Sequence, residues 1–137
     1  MATGTAGSKG KMYHTDQVHY LSAAVAYTDN GVAVTLGYLP PGAVVLEAGI
    51  VVTTVFNAGT TNTLNVGTSA DDDGFASLIA LGTKGRIVAD DMATSDDLYS
   101  TSEATITATV VLTGTAATTG AGTVYVTYIV PPAARAL

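Results

Sequence analysis

The chain has no cysteine and no tryptophan, two glutamates, one glutamine, and five lysines and arginines among 137 residues. Without cysteine there is no disulfide, no thiol nucleophile and no thiolate metal ligand, which fits folding in a reducing compartment. The cations are Lys9, Lys11, Lys84, Arg86 and Arg135; against eleven acidic residues they leave a net charge of −6 and a pI near 4.4. So few dispersed cations cannot neutralise a run of phosphates, which argues against direct nucleic-acid binding. An anionic membrane surface repels such a chain for the same reason. The longest apolar stretch, residues 43–55, carries Glu47 and is too short to span a bilayer. Residues 1–14 contain no apolar run of the secretory-signal kind.

Small and β-branched residues take the place of the missing side chains: 23 Thr, 22 Ala, 16 Val and 15 Gly. Long helix formers are scarce and strand formers abundant, which points to an all-β domain rather than a helical bundle. A length of 137 residues is that of one domain with one sizeable core. Charged residues make up only 12% of the chain, about half the usual share. Thr, Ala, Ser and Gly therefore cover much of the outside. Such a surface is easily desolvated against a partner, a mark of assembly; the plainer alternative is an ordinary threonine-rich sheet face.

Along the chain, residues 1–17 read as an extended arm, rich in small polar residues, that orders on docking, and residues 18–137 as the sandwich domain. Residues 18–27 suit a strand or a short helix, and Thr28, Asp29, Asn30 and Gly31 form a turn. Val32, Val34 and Leu36 alternate with Ala33 and Thr35 as in a half-buried strand, which Pro40, Pro41 and Gly42 end. Residues 43–56 form the longest strand candidate, with Val44, Leu46, Ala48, Ile50, Val52 and Phe56 on one face and Gly49 marking a bulge or bend. Residues 61–67 form a short strand with Leu64 and Val66 inward, and residues 69–74 an acidic loop. Residues 75–81 are apolar and ambiguous, 86–89 form a short strand, and 90–97 a polar loop. Over residues 104–113, Ile106, Ala108, Val110 and Leu112 alternate with threonines. A Thr/Ala/Gly hairpin loop then leads to a last strand over 123–130, with Tyr125 and Tyr128 on opposite faces and Pro131 and Pro132 after it. About eight strands with short turns make a two-sheet antiparallel sandwich or jelly roll.

No catalytic constellation emerges. Asp71, Asp72 and Asp73 before Gly74 supply the oxygens that a hard cation wants, but they lack the alternate spacing and closing Glu of a calcium loop. A solvated acidic loop is the preferred reading. Asp90, Asp91, Asp96 and Asp97 flank a polar loop and read as turn or capping residues rather than a glycosidase pair. His14 and His19, five apart with no cysteine nearby, do not make a zinc motif. There is no nucleophile elbow, P-loop or dinucleotide fingerprint. The chain reads as a building block, with no enzyme activity and no cofactor expected.

The segment 37–77, GYLPPGAVVLEAGIVVTTVFNAGTTNTLNVGTSADDDGFAS, carries a resemblance. A strand, a Leu-Pro-x-Gly turn, a long Val-rich strand, Phe-Asn-x-Gly and Thr-Asn-Thr-Leu-x-Val-Gly are similar to structural proteins of tailed-phage virions. The likeness is greatest to small jelly-roll capsid cement, or decoration, proteins. It covers about a third of the chain. It implies a protein that binds the outside of a shell of HK97-type major capsid protein as a homodimer or homotrimer, made in the host cytoplasm and sited on the capsid exterior. On that reading residues 1–17 and 131–137 make inter-subunit contacts through Lys9, Lys11, Tyr13, Arg135 and Leu137, the cations facing an acidic capsid rim. A head–tail connector, a tail-fibre module and a carbohydrate-binding sandwich using its tyrosines and the Asp71–Asp73 loop are the alternatives.

Overall fold

The computed structural model describes residues 17–89, 98, 99 and 101–131. Its strands are β1 (His19–Ala26), β2 (Ala33–Leu39), β3 (Val44–Thr54), β4 (Thr61–Thr68), β5 (Ala76–Ala80), β6 (Gly85–Val88), β7 (Ala104–Thr113) and β8 (Ala121–Ile129), with a 3-10 turn at Tyr27–Asp29. They form two four-stranded sheets in the orders β1-β8-β3-β6 and β2-β7-β4-β5. Every neighbouring pair is antiparallel. Only β4 and β5 are consecutive neighbours within a sheet; all other connections cross between the layers. This is the topology of a jelly roll. The loop before β8 is accordingly a crossover and not the hairpin that its composition predicts, because β8 pairs with β1 and β3 rather than β7.

The core lies between the sheets. Leu64 and Val66 of β4, Ile106 and Ala108 of β7, and Val124 and Val126 of β8 are wholly buried, as the period-two pattern predicts. Each larger aliphatic side chain buried in this way contributes roughly 1.5–3 kcal/mol. Residues 18–27 resolve into a strand followed by a 3-10 turn. The next turn closes with Val32 N–H donating to the Asp29 carbonyl at 2.9 Å. Asn30 has φ −52° and Gly31 φ +76°, so glycine alone takes the left-handed position.

Bulges change three expectations. A register shift between Val45 and Glu47 buries Val45 and turns Leu46 to solvent, opposite to strict alternation. A second shift follows Val52, so the bulges of β3 flank Gly49 rather than sit on it. In β2 the register shifts between Thr35 and Gly37, which turns Leu39 into the core; Val32, before the strand, is exposed.

The chain's four asparagines all spend side-chain amides on other parts of the backbone. Asn30 accepts from Leu112 N–H at 2.9 Å and donates to its carbonyl at 3.1 Å. Asn62 does the same with Ala58. Asn57 accepts from the Thr118 and Thr119 N–H groups. Asn65 accepts from Leu78 N–H, holding a bulged edge residue that has φ +56°. An amide carries a donor and an acceptor side by side, so it can extend a ladder where the backbone has turned away.

Candidate functional site

Antiparallel register places specific side chains in rows on the outer face of the sheet β1-β8-β3-β6. Tyr20 stands beside Thr127 and Glu47; Ser22 beside Tyr125, Gly49 and Val88; Ala24 beside Thr123, Val51 and Arg86. Tyr125 crosses over Gly49, where an added Cβ would stand 2.7 Å from the phenolic oxygen. The Tyr125 hydroxyl donates to Glu47 Oε2 at 2.6 Å and accepts from Arg86 Nε at 3.1 Å. Arg86 Nη2 donates to the same Oε2 at 2.9 Å, and its guanidinium carbon lies 6.0 Å from the Tyr125 ring centroid. The Tyr125 hydrogen bond, reinforced by Arg86, holds the Glu47 carboxyl below its ordinary pKa. Burial and the adjacent carboxylate push the Tyr125 hydroxyl up.

This cluster sits among exposed apolar groups: Tyr20 (70% exposed), Leu46 (47%), Val51 (39%) and Val88 (38%). The Arg86 side chain is itself 60% exposed. An ion pair this open adds little stability, but it fixes the direction of an arginine and a tyrosine. Sequence reading misses the cluster. The signals were Glu47, the single charge in the stretch 43–55, and a glycine two residues later.

The outer face of the other sheet differs. Thr35, Thr63, Thr105, Thr107 and Thr109 line it with Asn65 and Gly67, and none of these is charged. Thr107 and Thr109 point out of the sandwich yet are buried, and their hydroxyls and that of Thr63 have no hydrogen-bond partner among the described residues.

Asp71, Asp72 and Asp73 lie on an exposed turn, with carboxylate oxygens within 4.8 Å of one another. A hydrogen bond that the protonated Asp73 carboxyl donates to Asp71, with desolvation and the charges of Asp71 and Asp72 behind it, pushes the Asp73 carboxyl up, as expected of acids crowded on one turn. The turn folds back on Gly67, where a side chain would collide with the Asp71 carbonyl. Nearby, a cleft of about 380 Å³ is lined by Leu39, Phe75, Tyr99, Ser102, Glu103 and Thr105, among others. Among the described residues that line it, Glu103 is the single carboxylate and none is a histidine, so that set offers no paired acid and base.

His19 stacks on Tyr128, ring centroids 5.4 Å apart, and is a packing residue. Lys9, Lys11, Tyr13, Arg135 and Leu137 lie outside the described residues, as do His14, Asp90, Asp91, Asp96 and Asp97. Among the described residues no helix is long and apolar enough to cross a membrane.

No protein-family model matches the chain, and no curated protein does. Solved structures do. A chain of the cyanophage Pam1 capsid asymmetric unit is 26% identical, with a TM-score of 0.66, over 95% of this chain and 94% of that one. A chain of the acid-stable capsid of Helicobacter pylori bacteriophage KHP30 is 21% identical, with a TM-score of 0.59, over 83% of this chain and 88% of that one. A chain of the Ralstonia phage GP4 capsid is 18% identical, with a TM-score of 0.58, over 96% and 92%. The fold is thus one found in phage capsid structures; at 21% and 18% identity the likeness is one of fold alone.

Proposed function

We propose that this chain is a structural virion protein that binds the outer surface of a phage capsid and cements neighbouring major capsid protein subunits. The observation that carries the reading is the end-to-end match with the Pam1 capsid chain, more than nine-tenths of each chain at 26% identity. Mutual coverage of that extent means that the matched chain is itself about this size, which supports a small jelly-roll subunit added to a shell. The surface fits the role. Neither sheet carries a uniform field of one sign, so neither resists close approach to a protein lattice.

In this role residues 1–17 and 131–137 reach neighbouring subunits, with Lys9, Lys11 and Arg135 meeting acidic groups and Tyr13 and Leu137 supplying apolar contact. Single contacts can be weak because many copies bind one shell and each bound contact raises the effective concentration of the next. The matches are to capsids and not to tails, which favours the capsid over a connector or fibre.

The test is co-sedimentation of the purified chain with expanded shells of the major capsid protein encoded in the same genome. Saturable binding and a higher temperature of shell disruption are expected. Shells that neither retain the chain nor gain stability overturn the proposal. Removing residues 1–17 is expected to weaken retention; unchanged retention would strike the arm from it.

A further inference from the structure

We propose that two copies of this chain pair through the outer face of the sheet β1-β8-β3-β6 about a two-fold axis, Arg86 of each copy meeting Glu47 of the other. Three observations carry this. The first is composition. Tyr20, Val51 and Val88 surround Tyr125 and Arg86 on one exposed face. Tyrosine and arginine dominate interface hot spots, and grouped exposed apolar side chains mark docking surfaces. Tyr125 and Arg86 are already held by Glu47, so ordering them on association costs little.

The second is unused valence. Glu47 accepts both of its hydrogen bonds at Oε2, which leaves Oε1 without a partner among the described residues. Arg86 donates from Nε and Nη2, which leaves Nη1 without a partner among the described residues. A face that carries one acid and one base side by side complements a copy of itself, because a two-fold contact is reciprocal. The other described acids, Asp29, Asp71, Asp72, Asp73 and Glu103, lie in turns outside the strands. This face therefore lets two chains of net charge −6 approach with a cation on each side.

The third is area. Four strands about 4.8 Å apart and some eight residues long at about 3.3 Å each give on the order of 400 Å² in flat projection, more once side-chain relief is counted. That approaches the roughly 600 Å² per partner at the low end of specific interfaces. It predicts a weak dimer, which suits a subunit secured by multiplicity. The inference rests on the self-association that the cement role calls for, but its test is separate.

Sedimentation velocity of the full chain, from micromolar to sub-millimolar concentration, is expected to resolve a monomer–dimer equilibrium. Arg86→Glu and Glu47→Arg are each expected to weaken it about tenfold or more, since each places like charges across the axis. An equimolar mixture of the two variants is expected to recover the dimer. There, copies with two acids meet copies with two arginines; both contacts across the axis are restored while both internal pairs stay broken. A wild-type monomer throughout, single variants that dimerise as wild type does, or a mixture that stays monomeric would each overturn the inference. Should a charge variant fail to fold, Val88→Lys, at a position already exposed, decides: it must weaken the dimer, while Leu78→Lys on the other sheet must not. A chain that dimerises here but ignores capsid shells sinks the cement reading alone; one that binds shells but never dimerises sinks this inference alone.

Discussion

The Tyr125 ring lies across the backbone of Gly49, close enough that a methyl group there would stand 2.7 Å from its hydroxyl and 2.7 Å from the Ile87 carbonyl. The phenol can yield, but the carbonyl belongs to the β3–β6 ladder and cannot. Gly49→Ala is expected to cost about 1–3 kcal/mol through this overpacking. It should also release Tyr125 from Glu47. Gly82, with open space where its Cβ would stand, is the control: Gly82→Ala is expected to be neutral or to stabilise by up to about 1 kcal/mol. Equal melting temperatures for the two variants would contradict this account.

Asn30 closes the end of the β2–β7 ladder from a turn, supplying both hydrogen bonds that a paired residue would give Leu112. Asn30→Ala leaves that N–H and carbonyl half-buried without partners, an expected loss of about 1–3 kcal/mol by urea unfolding. Asn30→Asp keeps the acceptor for Leu112 N–H and gives up the donor, so it should fall between wild type and alanine. An aspartate variant no better than alanine would show that the accepted bond carries none of the stability.

β7 was readable residue by residue, because Ile106, Ala108, Val110 and Leu112 follow an unbroken period of two and face the core without a bulge. β3 was readable only as a strand. Its apolar run is almost continuous, so the pattern cannot say which residue the bulge turns out, and Val45 and Leu46 exchange roles. The Glu47–Tyr125–Arg86 cluster was out of reach for another reason. Its members come from β3, β8 and β6, and only the crossover topology brings those strands side by side.

The exchange at the bulge has a direct measure. Val45→Ala removes buried methyl groups and is expected to cost about 1–3 kcal/mol. Leu46→Ala removes more carbon from an exposed position and is expected to stay within about 0.5 kcal/mol. Plain alternation predicts the reverse order, so chemical denaturation of the two variants decides between them.

Acid should act on the two perturbed carboxyls in opposite directions. Glu47 has its pKa lowered from 4.5 by the Tyr125 hydrogen bond and by Arg86. Its charged form is therefore favoured by folding, and the stability it adds is complete above about pH 4.5 and lost as pH falls through the lowered folded value. Asp73 has its pKa raised from 3.8 by Asp71 and the charges around it. Folding favours its protonated form, so its contribution is complete below pH 3.8 and is lost as pH rises through the raised value. Glu47→Gln is thus expected to lie below wild type at neutral pH by a gap that closes on acidification. Asp73→Asn is expected to lie above wild type at neutral pH, its advantage fading in acid as the wild-type carboxyl takes up its proton. Urea midpoints measured against pH test both at once, at concentrations low enough to keep the chain monomeric. A Glu47→Gln gap that widens below pH 4.5 would mean that the carboxylate is not held by Tyr125 and Arg86 at all.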